Sequence, residues 1–204
     1  FIDENNNYIL DNDEKTISAD DLNGINSNDY TRPHEGGILV IPDIEALGVD
    51  PSTGKLDKID WKVKDGIYID DGLVIESENE INLESSNGDI LINSTMVNST
   101  RLQAENEISI EANNINMRQA VLKSVNDKIN FKSDNIYIGG TDIKGTYIQV
   151  DSPKKIFFEV ENVIYMNQFT KFDRNELDNK NYAINSDNAD IEVVNSDLGS
   201  NKFR

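Results

Sequence analysis

Six apolar residues, Ile108, Ile115, Leu122, Ile129, Ile136 and Ile143, stand seven apart in an unbroken series. Two positions after them come Ile110, Met117, Ser124, Phe131, Ile138 and Gly145. The repeating unit is Ile-x-apolar, followed by a mostly polar stretch rich in Asn, Asp, Ser and Lys. A seven-residue period is also the signature of a coiled coil, but there the second apolar position lies three or four residues from the first. Here it lies two away, which places both side chains on one face of a strand. The linkers Asn113-Asn114, Asn126-Asp127, Ser133-Asp134-Asn135 and Gly139-Gly140 also oppose a helix. Short strands joined by tight turns satisfy both facts. A unit this small cannot bury its apolar face alone and must stack on its neighbours. The pattern therefore predicts an all-β chain built as a β-solenoid (β-helix) of short repeats. Either one chain coils on itself or three chains wind round one axis, and the spacing leaves both open.

The same texture begins near Gly66, with Ile67-Tyr68-Ile69, Ile81-Asn82-Leu83 and Ile90-Leu91-Ile92, although the period is irregular before residue 102. No proline occurs between Pro51 and Pro153, as a ladder that uses every backbone donor requires. The chain is accordingly read as three parts. Residues 1–65 form a small acidic region of mixed structure. It holds brief helices over 17–24 and 42–48, and strands at Gly36–Ile41 and Leu56–Val63. Residues 66–172 are the solenoid, with the aromatic strands 155–160 and 162–166 expected to cap it. Residues 173–204 are a polar C-terminal segment with weak strands at 182–184 and 191–194.

Composition narrows the function classes. There are 38 acidic against 19 basic side chains, a formal charge of −19, which disfavours nucleic acid and anionic membrane surfaces as partners. No run approaches the ~20 apolar residues of a spanning helix. The absence of cysteine excludes disulfides and thiol chemistry, and a single histidine, His34, leaves no histidine pair for a zinc site. Although charge and modest hydrophobicity could signal disorder, 26 Ile residues argue for a packed core. The 28 Asn residues, with Ile, Lys and Asp, give a bias associated with AT-rich bacteria or their phages. No secretory signal is visible at Phe1 and the chain does not begin with Met, so it reads as a mature form or an excised piece, with any leader or anchor outside it.

Candidate chemistry is sparse. Asp70-Asp71 and the pair Glu105 with Glu107 are the carboxylates a glycosidase would need, but in so acidic a chain such pairs arise without selection. Glu105 and Glu107, if in a strand, share a face that reads as solvent. His34 lies in the turn-like stretch Arg32-Pro33-His34-Glu35-Gly36-Gly37. The groups Asp11-Asn12-Asp13-Glu14, Asp70-Asp71-Gly72 and Asp173-Arg174-Asn175-Glu176 gather oxygen ligands but lack the spacing of an EF-hand loop. Gly36-Gly37 and Gly139-Gly140 lack the partners of a phosphate loop. Asn93-Ser94-Thr95 and Asn98-Ser99-Thr100 match glycosylation sequons, as expected by chance in an Asn-rich chain. Phe157, Phe158, Tyr165, Phe169 and Phe172 could form a carbohydrate or partner patch, and are more simply read as closing the end of the solenoid. No catalytic, cofactor-binding or metal-binding residue is assigned, and no cofactor is expected.

The stretch from about Gly66 to Gly140, with lines such as Asn106-Glu107-Ile108-Ser109-Ile110-Glu111-Ala112, resembles short-repeat β-helices of two kinds. One is found in phage and contractile-system spikes and sarcoglycan-like ectodomains, where three chains intertwine. The other is the bactofilin-like polymer-forming proteins, single chains with longer coils. The His-x-His iron site of spike tips is missing here. Ile38 to Trp61 faintly resembles the ectodomain start of pilin-like proteins, without their apolar N-terminal helix. The resemblance implies a non-catalytic, extracellular structural protein: a stiff element of a bacterial surface appendage or adhesin. The alternatives are a trimeric phage or tail-like-particle spike and, third, a carbohydrate-active β-helix enzyme. Expected partners are other copies or subunits of the same appendage or particle, and a host glycan or protein.

Overall fold

A computed structural model describes residues 1–4, 10, 38–41, 55–94, 99–139, 147–150, 156–166, 171–173, 184–185 and 191–194. The described residues contain no helix, and the strands form a β-solenoid of about four turns in which a single chain coils on itself. The segments read as helices over 17–24 and 42–48 lie outside the described residues.

Strand β1 (Ile2–Asp3) pairs antiparallel with β2 (Ile38–Ile41), and every other pairing among the described strands is parallel, as coiling in one sense demands. The first full coil runs through β3 (Ile59–Val63), β4 (Gly66–Ile69) and β5 (Val74–Ser77). The second runs through β6 (Ile81–Ser85), β7 (Asp89–Ile92) and β8 (Arg101–Ala104). In the third, β9 (Ile108–Arg118) turns a corner without breaking and is followed by β10 (Val121–Ser124). The fourth repeats this with β11 (Ile129–Gly139) and β12 (Tyr147–Val150). Then come β13 (Ile156–Met166), β14 (Lys171–Asp173), β15 (Ile184–Asn185) and β16 (Ile191–Val194). A ten-stranded sheet supplies two sides of each coil and a six-stranded sheet the third.

The seven-residue period is one side of this three-sided coil. Ile108, Ile115 and Leu122 occupy three successive sides, and Ile129 returns above Ile108 after 21 residues. The heptad residues thus do not form one column, as a stack of single repeats would. They divide among columns: Ile59–Ile81–Ile108–Ile129–Ile156 on one side, Leu39–Ile67–Ile90–Ile115–Ile136 on the next, Ile75–Leu102–Leu122–Ile148 on the third. The residues two further on build parallel columns, such as Trp61–Leu83–Ile110–Phe131–Phe158. Those of the described side chains are almost all inaccessible, and together they fill one continuous core. Phe131 and Phe158 stack with ring centroids 5.0 Å apart. Ile143 falls outside the described residues. The residue over Leu122 in the next coil is Ile148.

Strands at both ends of the solenoid join its ladder. β2 and β3, drawn from the region read as separate, are hydrogen-bonded rungs of the same sheet through β4 and β6. β13, expected to cap the array, is flanked by β11 and β16 and so continues the coil.

Ser124, which breaks the apolar series, points inward at a corner. Its Oγ lies 2.6 Å from the Asn106 carbonyl and 2.7 Å from that of Asp127, and it accepts from the Asp127 N–H. Ser77, in register two coils earlier across Ala104, does the same for the carbonyls of Asp57 and Glu80. Ser85 and Ser133 repeat the device at another corner, with Ala112 in register with Ser133. A corner turns backbone carbonyls away from the ladder, and a small hydroxyl satisfies them where an apolar side chain could not.

Candidate functional site

The outer surface is organised by the same register as the core. On one side the outward residues Lys62, Glu84, Glu111, Lys132 and Glu159 stand in one row, a rung of about 4.8 Å apart. Lys62 Nζ lies 3.4 Å from Glu84, and Lys132 pairs with Glu111. The hydrogen bond from Lys132 to Glu111 raises the lysine above its ordinary pKa. Glu84, Glu111, Lys132, Ser133, Asp134 and Glu159 line an open groove of about 330 Å³ along this row. Glu84 and Glu111 are neighbours of like charge within it, each held by a lysine on its far side.

Asparagine side chains bind coil to coil. Asn79 Nδ2 donates to Asp57 at 2.7 Å, Asn82 to Asp60 at 2.7 Å, Asn114 to Asp89 at 2.7 Å, and Asn135 to Asn114 at 2.8 Å. An amide both donates and accepts, so stacked Asn can pass a hydrogen bond up the axis. That role accounts for part of the Asn excess.

The neighbouring side presents Tyr68, Leu91, Asn116 and Tyr137 outward in one uncharged row. Tyr68 is fixed through its hydroxyl, which donates to Asp70 at 3.0 Å and accepts from Asn93 at 3.1 Å. Burial, opposed by the Asn93 bond and helped by Asp70, raises its pKa.

Four of the carboxylates named from sequence, Asp70, Asp71, Glu105 and Glu107, sit in turns of the described coils. Glu105 and Glu107 lie in the turn between β8 and β9, not in a strand. Each is paired to its own lysine, Glu105 with Lys55 at 2.9 Å and Glu107 with Lys128 at 3.3 Å. Asp70 accepts the Asp71 N–H as well as the Tyr68 hydroxyl, and Gly72 follows with φ of 79°, so Asp70-Asp71-Gly72 is a built turn. Among the described residues no group of three acidic or histidine side chains converges on a point. His34, Asp11–Glu14, Arg174–Glu176, Gly36-Gly37, Gly140, Thr95, Asn98 and Phe169 lie outside the described residues. Asn93, of the first sequon, spends its amide on Tyr68. Of the late aromatics, Phe158 belongs to the core, while half-buried Phe157 faces out with Lys128 Nζ 5.7 Å from its ring centre.

The lysine–glutamate pairs, the Asn ladder and the corner serines were not found from sequence. Their partners in other coils are 18 to 50 residues apart, and the coil length is what links them. No family model, curated protein or solved structure matches the chain.

Proposed function

We propose that this chain is a non-catalytic structural element, a stiff β-solenoid rod in an extracellular appendage or adhesin of a bacterial surface. The observation that carries the reading is what the polar groups do. Of the described carboxylates, Glu105 and Glu107 are bonded to lysines, Asp57, Asp60 and Asp89 to asparagines of the next coil, and Asp70 to Tyr68 and a turn amide. Side chains committed this way hold coil to coil and leave little for a substrate. A core continuous along the axis resists bending, because bending would open packed columns on one side. Other copies or subunits of the same appendage are the proposed partners, with a host glycan or protein as the target of an adhesin.

Location decides the matter most directly. Antibody against the purified chain should label intact cells of the source organism, and external protease should strip that label. Labelling that appears only after lysis overturns the proposal.

A further inference from the structure

The corner between β6 and β7 carries Asn87-Gly88, one of two Asn-Gly dipeptides in the chain, the other being Asn23-Gly24. Glycine after asparagine leaves the backbone nitrogen unhindered, so this pair can cyclise with the asparagine side chain. Asn87 is exposed, and water reaches it freely. Its backbone is nevertheless held at every polar atom. Asn87 N–H donates to the Lys64 carbonyl at 2.8 Å, and the Asn87 carbonyl accepts from Asn113 Nδ2 at 2.6 Å. Gly88 N–H donates to Ser85 Oγ at 3.1 Å, and the Gly88 carbonyl accepts from Asn113 N–H at 3.1 Å. The clamp therefore joins residues of three successive coils.

We propose that Asn87 is a deamidation site whose reaction is withheld by the folded coil and released when the coil opens. The Gly88 nitrogen loses its proton to solvent and attacks Asn87 Cγ, forming a carbon–nitrogen bond. The bond from Cγ to Nδ2 breaks, and the side-chain nitrogen takes up a proton and leaves as ammonia. Water then opens the five-membered imide at either carbonyl, giving aspartate or isoaspartate. In the fold, the attacking nitrogen's proton is engaged by Ser85, and the peptide cannot rotate towards Cγ without breaking the clamp.

The isoaspartate product does not fit this corner. A Cβ on Gly88 would already stand 1.9 Å from the Asp65 carbonyl oxygen. Isoaspartate adds a methylene to the backbone beside that contact. A chain converted to isoaspartate while open is thereby barred from its native corner, and that fraction of the opened molecules is marked irreversibly.

The test holds the purified protein in mildly alkaline buffer, native and in concentrated urea, and follows Asn87 and Asn23 by peptide mass mapping. In urea the two sites should convert at similar rates. In native buffer Asn87 should convert at least about tenfold more slowly than in urea, since reaction then requires local opening. Ser85→Ala and Asn113→Ala, each verified as folded by circular dichroism, should restore part of the urea rate at Asn87. Isoaspartate-bearing chains should fail to regain native circular dichroism on dilution from urea. Equal native and urea rates for the parent overturn the proposal. So does an unchanged native rate in both folded variants, because the clamp would then protect nothing.

Discussion

Ile129 stands in register above Ile108, one coil and 21 residues later, and neither side chain is reached by solvent. Ile156 continues the same column. An aspartate at 129 would place an uncompensated charge between two isoleucines, so Ile129→Asp should cost several kcal/mol. Ile129→Val, which removes one methylene from the same place, should cost about 1 kcal/mol. Urea titration of the two variants against the parent measures both. A parent-like midpoint for the aspartate variant would show that position 129 does not face inward.

That column was legible in the sequence because a spacing of two fixes which face of a strand a residue takes. The number of sides per coil was not. A heptad can be a whole rung of an intertwined trimer or one side of a triangular coil, and the choice depends on where the chain bends. The bends are set by corner contacts with distant residues. Ser124 breaks an apolar series, and although Asp127 is a near partner, the Asn106 carbonyl that makes it a link between coils lies 18 residues back. Glu105 and Glu107 looked like a same-face pair because alternation was carried through a turn. Lys55, 50 residues from Glu105, could not be assigned to it without knowing the coil.

Ser124 gives the second prediction. Its hydroxyl serves the Asn106 and Asp127 carbonyls and the Asp127 N–H at once. Ser124→Ala strands buried backbone groups while changing volume little, and should cost about 1–3 kcal/mol. Ser124→Thr keeps the hydroxyl but adds a methyl to a filled corner, so it should also destabilise. Thermal melts of both variants test this. An alanine variant as stable as the parent would mean water satisfies the corner as well as serine does.

The third concerns alkaline pH. The Tyr68 pKa is raised above the ordinary 10.0, first by burial and further by Asp70, against the Asn93 bond. A group with a raised folded pKa gives stability that is fully present below the unfolded value and lost as pH rises through the folded one. Stability should therefore be flat in Tyr68's contribution at neutral pH and decline above about pH 10. Lys55 and Lys132, both raised chiefly by their glutamate hydrogen bonds, act in the same direction. Tyr68→Phe should make the alkaline decline shallower without abolishing it. Tyrosinate absorbance, parent minus Tyr68→Phe, should show one tyrosine ionising above the ordinary value. A difference spectrum rising below that value would contradict the burial argument.

The last prediction concerns why such rods stay apart. A solenoid offers flat faces and, where its ends are uncovered, strand edges, both of which favour association. The described faces differ: one carries the charged row through Glu84 and Glu111, and the next the uncharged row through Tyr68 and Tyr137, the latter exposed. With a net charge of −19, two copies approaching side by side repel over roughly the Debye length, about 8 Å at physiological salt. Raising salt at neutral pH shortens that reach and leaves the apolar contribution of the tyrosine row intact. Sedimentation velocity should therefore show larger species as salt increases, and Tyr137→Asp should suppress them. The opposite sign is informative too. If salt dissolves the larger species, oppositely charged groups hold copies together, and the lysine–glutamate row is then the contact face. A profile unchanged by salt would mean that the charge is not what keeps the rods apart.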